Sequence, residues 1–483
     1  KCTAVISSPW KSSGKVYNCT MLVENGKIIH KQYKHDLPNY GVFDEKRVFS
    51  SGEPPKIFEF KGRKIAMMIC EDTWNGELSK ALKGAEFVIS VNASPFERIK
   101  HNKRLRVTQK VVSNTQAPIF YVNQVCGHDD LVFDGGSMVI TAKGKTHKQM
   151  KHFEEDISEF NIEDVHNSKA DSLYTIDEDE HLYRAMMLGL KDYCYKNSFA
   201  GVVLGLSGGI DSALTAVIAA DALGKDQIKL FMMPSKYTST ESLQDADQLS
   251  RNIDIPLESI NIEPIVSSYM DCLKPYFTGT TEGLAEENIQ SRIRGNLLMA
   301  FSNKFGHLVL TTGNKSEVSV GYATLYGDMS GGLNLLKDIY KTRVFRLARW
   351  RNFNKPVDGL GPDVMGADGL DNDRLGSDAD NQVIPENIIS KAPTAELRHN
   401  QKEEDSLPKY EILDQILYMM VEKEMSAEDI AEEGFDMSMV LEVEKLLYRA
   451  EYKRRQSAPG IKLSSKPFQR DWRYPITNKF LEY

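Results

Sequence analysis

Gly205-Leu206-Ser207-Gly208-Gly209-Ile210-Asp211-Ser212 joins a continuous apolar run, 200–206, to a helical pattern over 212–223. Backbone N–H groups at a helix N-terminus lack intrahelical partners and carry the positive end of the helix dipole. Glycines let such a turn wrap closely around an anion, because no Cβ stands in the way. Ser207 and Ser212 add hydroxyl donors. Asp211 would repel a phosphate unless a divalent cation lay between them, so the string implies Mg2+. A pair of glycines alone would fit any strand-to-helix turn. The whole string behind a strand points to a phosphate-binding loop. It lacks the terminal Lys-Ser/Thr of a Walker A loop, and it is not GxGxxG.

The surrounding pattern supports this. A strand over 228–233, a helix over 242–252 and a strand over 307–312 continue the alternation, which predicts an α/β domain with a doubly wound parallel sheet. Residues 410–455 predict a helical tail. Residues 3–140 read differently, as short apolar strands and few helices. The strand candidates are 64–69, 87–91 and 119–125, with a helix over 100–114 and a hairpin over 17–30 turning at Asn25-Gly26. This predicts packed sheets with flanking helices. Between the halves, 153–180 holds eleven Asp or Glu and one basic residue, Lys169, which reads as a solvated linker. The expected division is a first domain over 1–165, an acidic linker over 166–180 and a second domain over 181–483. The segment 354–381, with seven Asp and five Gly, reads as a mobile surface loop. Its partial likeness to a calcium loop fails, since Leu375 and Gln382 stand where ligands belong.

The 483 residues suffice for two or three domains, and 41% hydrophobic with 27% charged residues is ordinary globular composition. No apolar run reaches transmembrane length. Sixty basic against 68 acidic residues give −8, opposite in sign to a chain-wide nucleic-acid binder. Six widely spaced cysteines without CxxC predict no zinc site and fit a reducing, cytoplasmic setting. The chain opens without Met or a signal pattern and runs straight into a strand.

The SGGxDS string resembles the pyrophosphate loop of the N-type ATP pyrophosphatases, which cleave ATP to AMP and pyrophosphate while activating an oxygen for attack by nitrogen or sulfur. Further strings narrow the choice. They are Thr311-Thr312-Gly313-Asn314-Lys315-Ser316-Glu317, Gly321-Tyr322-Ala323-Thr324-Leu325-Tyr326-Gly327-Asp328, 336–342, Pro393-Thr394-Ala395-Glu396-Leu397 and 451–456. From about Leu182 onward they resemble NAD synthetases. The resemblance implies that Asp211 and Glu317 hold Mg2+. It assigns ATP to Gly205, Leu206, Ser207, Gly208, Gly209, Ile210, Asp211, Ser212, Thr312, Lys341 and Thr394. It assigns deamido-NAD to Asn288, Arg292, Glu317, Tyr322, Asp328 and Lys453, with Arg294 a further cation one turn from Asn288. Cations separated along the site suit the many phosphates of ATP and a dinucleotide.

In the first half, Cys70-Glu71-Asp72-Thr73-Trp74 follows the 64–69 run, where a sharp turn would expose sulfur. A free thiol is only a few per cent thiolate at neutral pH and needs a base or cation beside it. CEDxW is similar to the nucleophile motif of the nitrilase superfamily, specifically the glutaminase domain of glutamine-dependent NAD synthetases, an α-β-β-α sandwich. That likeness implies Cys70 as nucleophile and Lys34 as catalytic lysine. It implies Tyr40, Ser94 and Lys100 as glutamine contacts. The segments 34–45, 92–96 and 123–135 follow the same pattern. The family's catalytic Glu has no counterpart before Lys34, so the domain is expected to lack its N-terminal portion.

The expectation is therefore an ATP-dependent amidation of deamido-NAD, with ammonia from glutamine, by a homo-oligomeric enzyme of at least a dimer. Its ligands are small molecules, with neither nucleic acid nor membrane as partner. Rival readings are a GMP- or tRNA-modifying ATP pyrophosphatase, an ammonia-only synthetase, and a nucleotide-binding scaffold without catalysis.

Overall fold

A computed structural model describes residues 2–168, 177–354, 382–398, 401, 407–477 and 479. The chain divides into two compact units, Lys1–Cys126 with Leu131–Asp177, and Gly127–Asp130 with Glu178–Tyr483.

In the first unit the apolar runs pair into a six-stranded sheet. Its order is Thr146–Gln149, Met138–Ile140, Ile119–Asn123, Phe87–Asn92, Arg63–Ile69, Phe58–Phe60. The central three strands are parallel and the outer pairings antiparallel. Parallel strands are covered on both faces, which is why these runs are apolar without alternation. Met68, Val88, Ile119 and Tyr121 pack with Leu78, Leu82, Val111 and Val112. A second, antiparallel sheet joins Thr3–Ser12, Lys15–Glu24 and Lys27–Tyr33. Its Asn25-Gly26 turn has φ of +50° and +74°, the left-handed pair that a tight hairpin requires. The run expected to continue to Val125 breaks at Gln124. Asn123 turns its amide to the carbonyls of Ser94 (3.3 Å) and Gly135 (3.0 Å), and Val125–His128 is a separate strand.

The second unit is built on a five-stranded sheet ordered Leu257–Ser259, Ile228–Met232, Gly201–Gly205, His307–Thr311, Leu333–Asn334, all parallel. From Gly201–Gly205 the chain winds outward on one side, then returns to the other at His307–Thr311. That is a topological switch point, where the strand ends leave a crevice. Helix Ile210–Leu223 is buried on most of its surface, in keeping with its run of Ala, Val, Ile and Leu. Helices Tyr410–Val421, Ala427–Glu432, Met437–Arg449 and Glu451–Arg454 form the tail, packing Leu413, Leu417 and Val443 on Val318 and Val320.

The acidic window is not all solvated. Glu178, Asp179 and Glu180 open helix Glu178–Lys196, where carboxylates suit the helix dipole. Asp179 is 4% exposed and pairs with Arg343 (2.6 Å) and Arg346 (2.5 Å). Helix Ile162–Asn167 also falls in this window, capped by Asn161. The acidic and glycine-rich segment at 355–381 lies outside the described residues.

Candidate active sites

In the second unit, Leu206-Ser207-Gly208-Gly209 leaves the carboxyl end of Gly201–Gly205 and enters helix Ile210–Leu223 with Gly209 as N-cap. Gly208 has φ +79°, and a Cβ there would lie 2.4 Å from the Ser242 carbonyl oxygen. Only glycine fits. The two serines brace the turn. Ser207 N donates to Ser212 Oγ (3.2 Å), Gly209 N to Ser207 Oγ (3.3 Å), and Ser212 Oγ to the Gly209 carbonyl (3.0 Å). Their hydroxyls thus hold the loop as well as facing the crevice.

That crevice is a cavity of about 430 Å3. Gly205, Leu206, Ser207, Gly209, Ile210, Asp211, Ser212, Thr312, Lys341 and Thr394 line it, as do Asn288, Glu317, Tyr322, Asp328 and Lys453. Two expected residues do not. Gly208 is turned against Ser242, and exposed Arg292 donates its Nε to the Leu325 carbonyl (3.2 Å). Arg294 does line the cavity, braced by Nε on the Met233 carbonyl (2.9 Å). Desolvation pulls its pKa down to about 10, so it stays cationic at neutral pH.

Asp211 and Glu317 converge on one cation. Lys341 Nζ, from the first residue of helix Lys341–Phe353, lies 2.6 Å from Asp211 Oδ2 and 3.1 Å from Glu317 Oε1. Asn314 donates Nδ2 to Asp211 Oδ1 (2.9 Å) and its backbone N to Glu317 Oε2 (3.2 Å). Among the described residues no group of three or more His, Cys, Asp or Glu is placed to hold a metal. Two converging carboxylates beside this glycine turn nonetheless fit Mg2+, which takes one or two protein carboxylates and completes its shell with phosphate and water.

At the far end, Lys453 Nζ donates to the carbonyls of Gly321 and Ala323 (both 2.7 Å). Asp328 Oδ1 accepts from Thr324 N (2.6 Å), and Thr324 Oγ1 donates to Asn288 Oδ1 (2.8 Å). Desolvation raises the Asp328 carboxyl and lowers the Lys453 amine. A residue without an assigned role also lines the cavity. Glu396, at φ +48°, accepts from Ser239 Oγ (2.6 Å) and Ser242 Oγ (2.8 Å), tying the Thr394 loop to the start of helix Thr240–Asn252. Its signal was present only as part of the Pro393–Leu397 string.

In the first unit, strand Arg63–Ile69 ends in a tight turn over Cys70–Trp74. Cys70 has φ +45°, a conformation uncommon for a residue with a side chain and typical of functional strain. Asp72 ties this turn to the Lys34 segment. Its Oδ1 accepts from His35 N (3.1 Å) and Asp36 N (2.8 Å), and its Oδ2 from Ile69 N (3.3 Å). Burial lifts its pKa to about 6 against those bonds. Burial also raises the Cys70 thiol, while Lys34 and then Lys100 pull it down. Lys34 is 1% exposed and donates to Glu45 Oε1 at 2.6 Å. Glu45 stands inside the quoted 34–45 segment, yet nothing in the spacing marked it as the lysine's partner.

Ser94 is 2% exposed. Its N donates to Asn123 Oδ1 (2.9 Å). Tyr40 is exposed and donates to Glu71 Oε1 (2.8 Å). Both line an open cleft of about 890 Å3 with Asp36, Lys46 and Trp74, whereas Cys70, Lys34, Ser94 and Lys100 are not on its wall.

Comparison with known proteins agrees with both halves. The NAD synthase family model matches residues 182–457, and the carbon-nitrogen hydrolase model matches 1–166. The glutamine-dependent NAD(+) synthetase of Acinetobacter baylyi is 44% identical over 96% of this chain and 82% of the relative. That of Thermotoga maritima is 41% identical over 98% and 84%. The solved structure of the Acinetobacter baumannii glutamine-dependent NAD+ synthetase with adenosine diphosphate superposes with a TM-score of 0.73 at 40% identity, covering 99% of this chain and 84% of that one.

Proposed function

We propose residue roles for two sites in this chain, which belongs to the glutamine-dependent NAD(+) synthetases. The overall reaction is the ATP-dependent amidation of deamido-NAD to NAD+, with glutamine as nitrogen donor. The observation that carries the site reading is the turn at the switch point, with Asp211, Glu317 and Lys341 converging beside it. The match of both halves favours NAD+ formation over a GMP- or tRNA-modifying ligase.

Cys70 sulfur attacks the glutamine carboxamide carbon, forming a thioester and releasing ammonia. Lys34 holds positive charge beside the thiolate and the developing oxyanion. Its ammonium is itself held by Glu45. Tyr40, Ser94 and Lys100 orient the glutamine. Water then hydrolyses the thioester to glutamate.

At the second site the bare amides of the Ser207–Ser212 turn receive the ATP phosphates. The nicotinate carboxylate of deamido-NAD, placed by Asn288, Tyr322, Asp328 and Lys453, attacks the α-phosphorus and pyrophosphate leaves. Ammonia attacks the resulting acyl adenylate, and AMP departs. Lys341, Thr394 and Thr312 hold the phosphate oxygens throughout. Asp211 and Glu317 would hold Mg2+, which neutralises charge on the leaving pyrophosphate.

A cytoplasmic, homo-oligomeric enzyme completes the reading. The six cysteines are all free, which suits a reducing compartment, and no described helix is long and apolar enough to cross a membrane. The decisive experiment separates the two nitrogen sources. Cys70→Ala is expected to abolish NAD+ formation from glutamine and retain it from ammonium salts. Loss of both in a folded protein overturns the division into two sites.

A further inference from the structure

The geometry points to Arg104 as a positioning residue of the glutamine site, one that locks the Ser94 hydroxyl as a donor. The inference rests on the reading of Ser94 as a glutamine contact. Arg104 projects from helix Lys100–Thr115 and is 1% exposed. All three guanidinium nitrogens are engaged. Nη1 donates to Asp134 Oδ1 and Oδ2 (2.8 and 2.9 Å), and Nη2 to the carbonyls of Ser94 and Pro95 (2.7 and 3.0 Å). Nε donates to Ser94 Oγ (3.1 Å).

A guanidinium has donors and no acceptor. Ser94 Oγ must therefore accept from Arg104, and its own proton points elsewhere. The rest of Ser94 is fixed as well. Its N is bound to Asn123 Oδ1, and its carbonyl receives Arg104 and Asn123. The hydroxyl proton is the one donor this residue has left. The buried Tyr121 phenol interacts with the Ser94 side chain, and the Cys70 thiol interacts electrostatically with both Arg104 and Tyr121. A glutamine carbonyl or carboxylate oxygen that reaches Ser94 therefore meets a hydroxyl already set as a donor.

The arrangement is more than packing requires. Replacing a buried ion pair by apolar side chains of the same volume is often neutral or stabilising. Here Asp134 is 2% exposed, accepts both bonds from Nη1 and also receives His152 Nδ1 (3.2 Å). The planar guanidinium fork, spreading five bonds over Asp134, Ser94 and Pro95, fixes orientation in a way that one ammonium cannot.

Arg104→Lys keeps the charge and loses the fork. In the full chain it is expected to raise KM for glutamine about tenfold, as for losing one hydrogen bond of about 1.4 kcal/mol. The kcat with glutamine should stay within twofold, and ammonia-dependent NAD+ formation should not change. Ser94→Ala should raise KM similarly, and the double variant should be no worse than Ser94→Ala alone. If Arg104→Lys does not fold, Asp134→Asn is read in the same way, with KM rising and no added effect in Ser94→Ala. A fall in kcat with no change in KM, or effects that add fully to Ser94→Ala, overturns the proposal. Unchanged KM in Ser94→Ala itself would instead overturn the reading of Ser94 on which it rests.

Discussion

Gly208→Ala tests whether the turn proposed to receive ATP must have its observed shape. The backbone at 208 has φ +79°, which costs a residue with a Cβ roughly 1–2 kcal/mol. The added Cβ would stand 2.4 Å from the Ser242 carbonyl oxygen, about 1 Å inside ordinary contact. Ser242 cannot retreat freely, because its hydroxyl is bound to Glu396 Oε1 at 2.8 Å and it sits in the first turn of helix Thr240–Asn252. The turn must move instead, by about 1 Å, and a displacement of that size at a reacting centre costs on the order of 100-fold. The assay is pyrophosphate release with ATP, deamido-NAD and ammonium, with a thermal melt to verify folding. We expect kcat/KM for ATP to fall about 100-fold, with the melting temperature lowered by only a few degrees. Activity within threefold of the parent at an unchanged melting temperature would refute the reasoning.

Three further outcomes are expected. Glu396→Ala unties the Thr394 loop from Ser239 and Ser242, so KM for ATP should rise about tenfold in steady-state kinetics; an unchanged KM would show that the clamp does not shape the site. Lys34→Met removes the main influence lowering the Cys70 thiol, so alkylation of Cys70 by iodoacetamide at pH 7 should slow at least tenfold, followed by mass spectrometry. Asp72 titrates near pH 6 in the folded state, above its value of 3.8 when unfolded, so the folded chain holds an extra proton between those limits. Its contribution is complete below about pH 4 and is lost as pH rises through 6, by about 3 kcal/mol at most. The shift in unfolding midpoint between pH 4.5 and 7 should therefore shrink in Asp72→Asn; an equal shift in both proteins would exclude this group as its source.

Much of the molecule was legible in order along the chain. The string 205–212 and the CEDTW string carry their meaning in adjacent residues, because a turn's conformation and its unsatisfied N–H groups are set by a few neighbouring φ and ψ angles. The alternation of apolar strands and helices over 200–312 gave the wound parallel sheet for the same local reason. Asn25-Gly26 did so for its hairpin. The sequence also named the two carboxylates and the lysine that meet beside the turn, through the strings they belong to.

Partnership across long separations was decided by tertiary structure alone. Glu396 meets serines more than 150 residues away, Arg104 meets Asp134 across 30, and Asp179 leaves its acidic run to pair with Arg343 and Arg346. Nothing in composition separates these charges from solvated ones. The folded sheets and helices take them out of water, and a charge that loses water must find an opposite charge or a dipole wherever the fold has placed one.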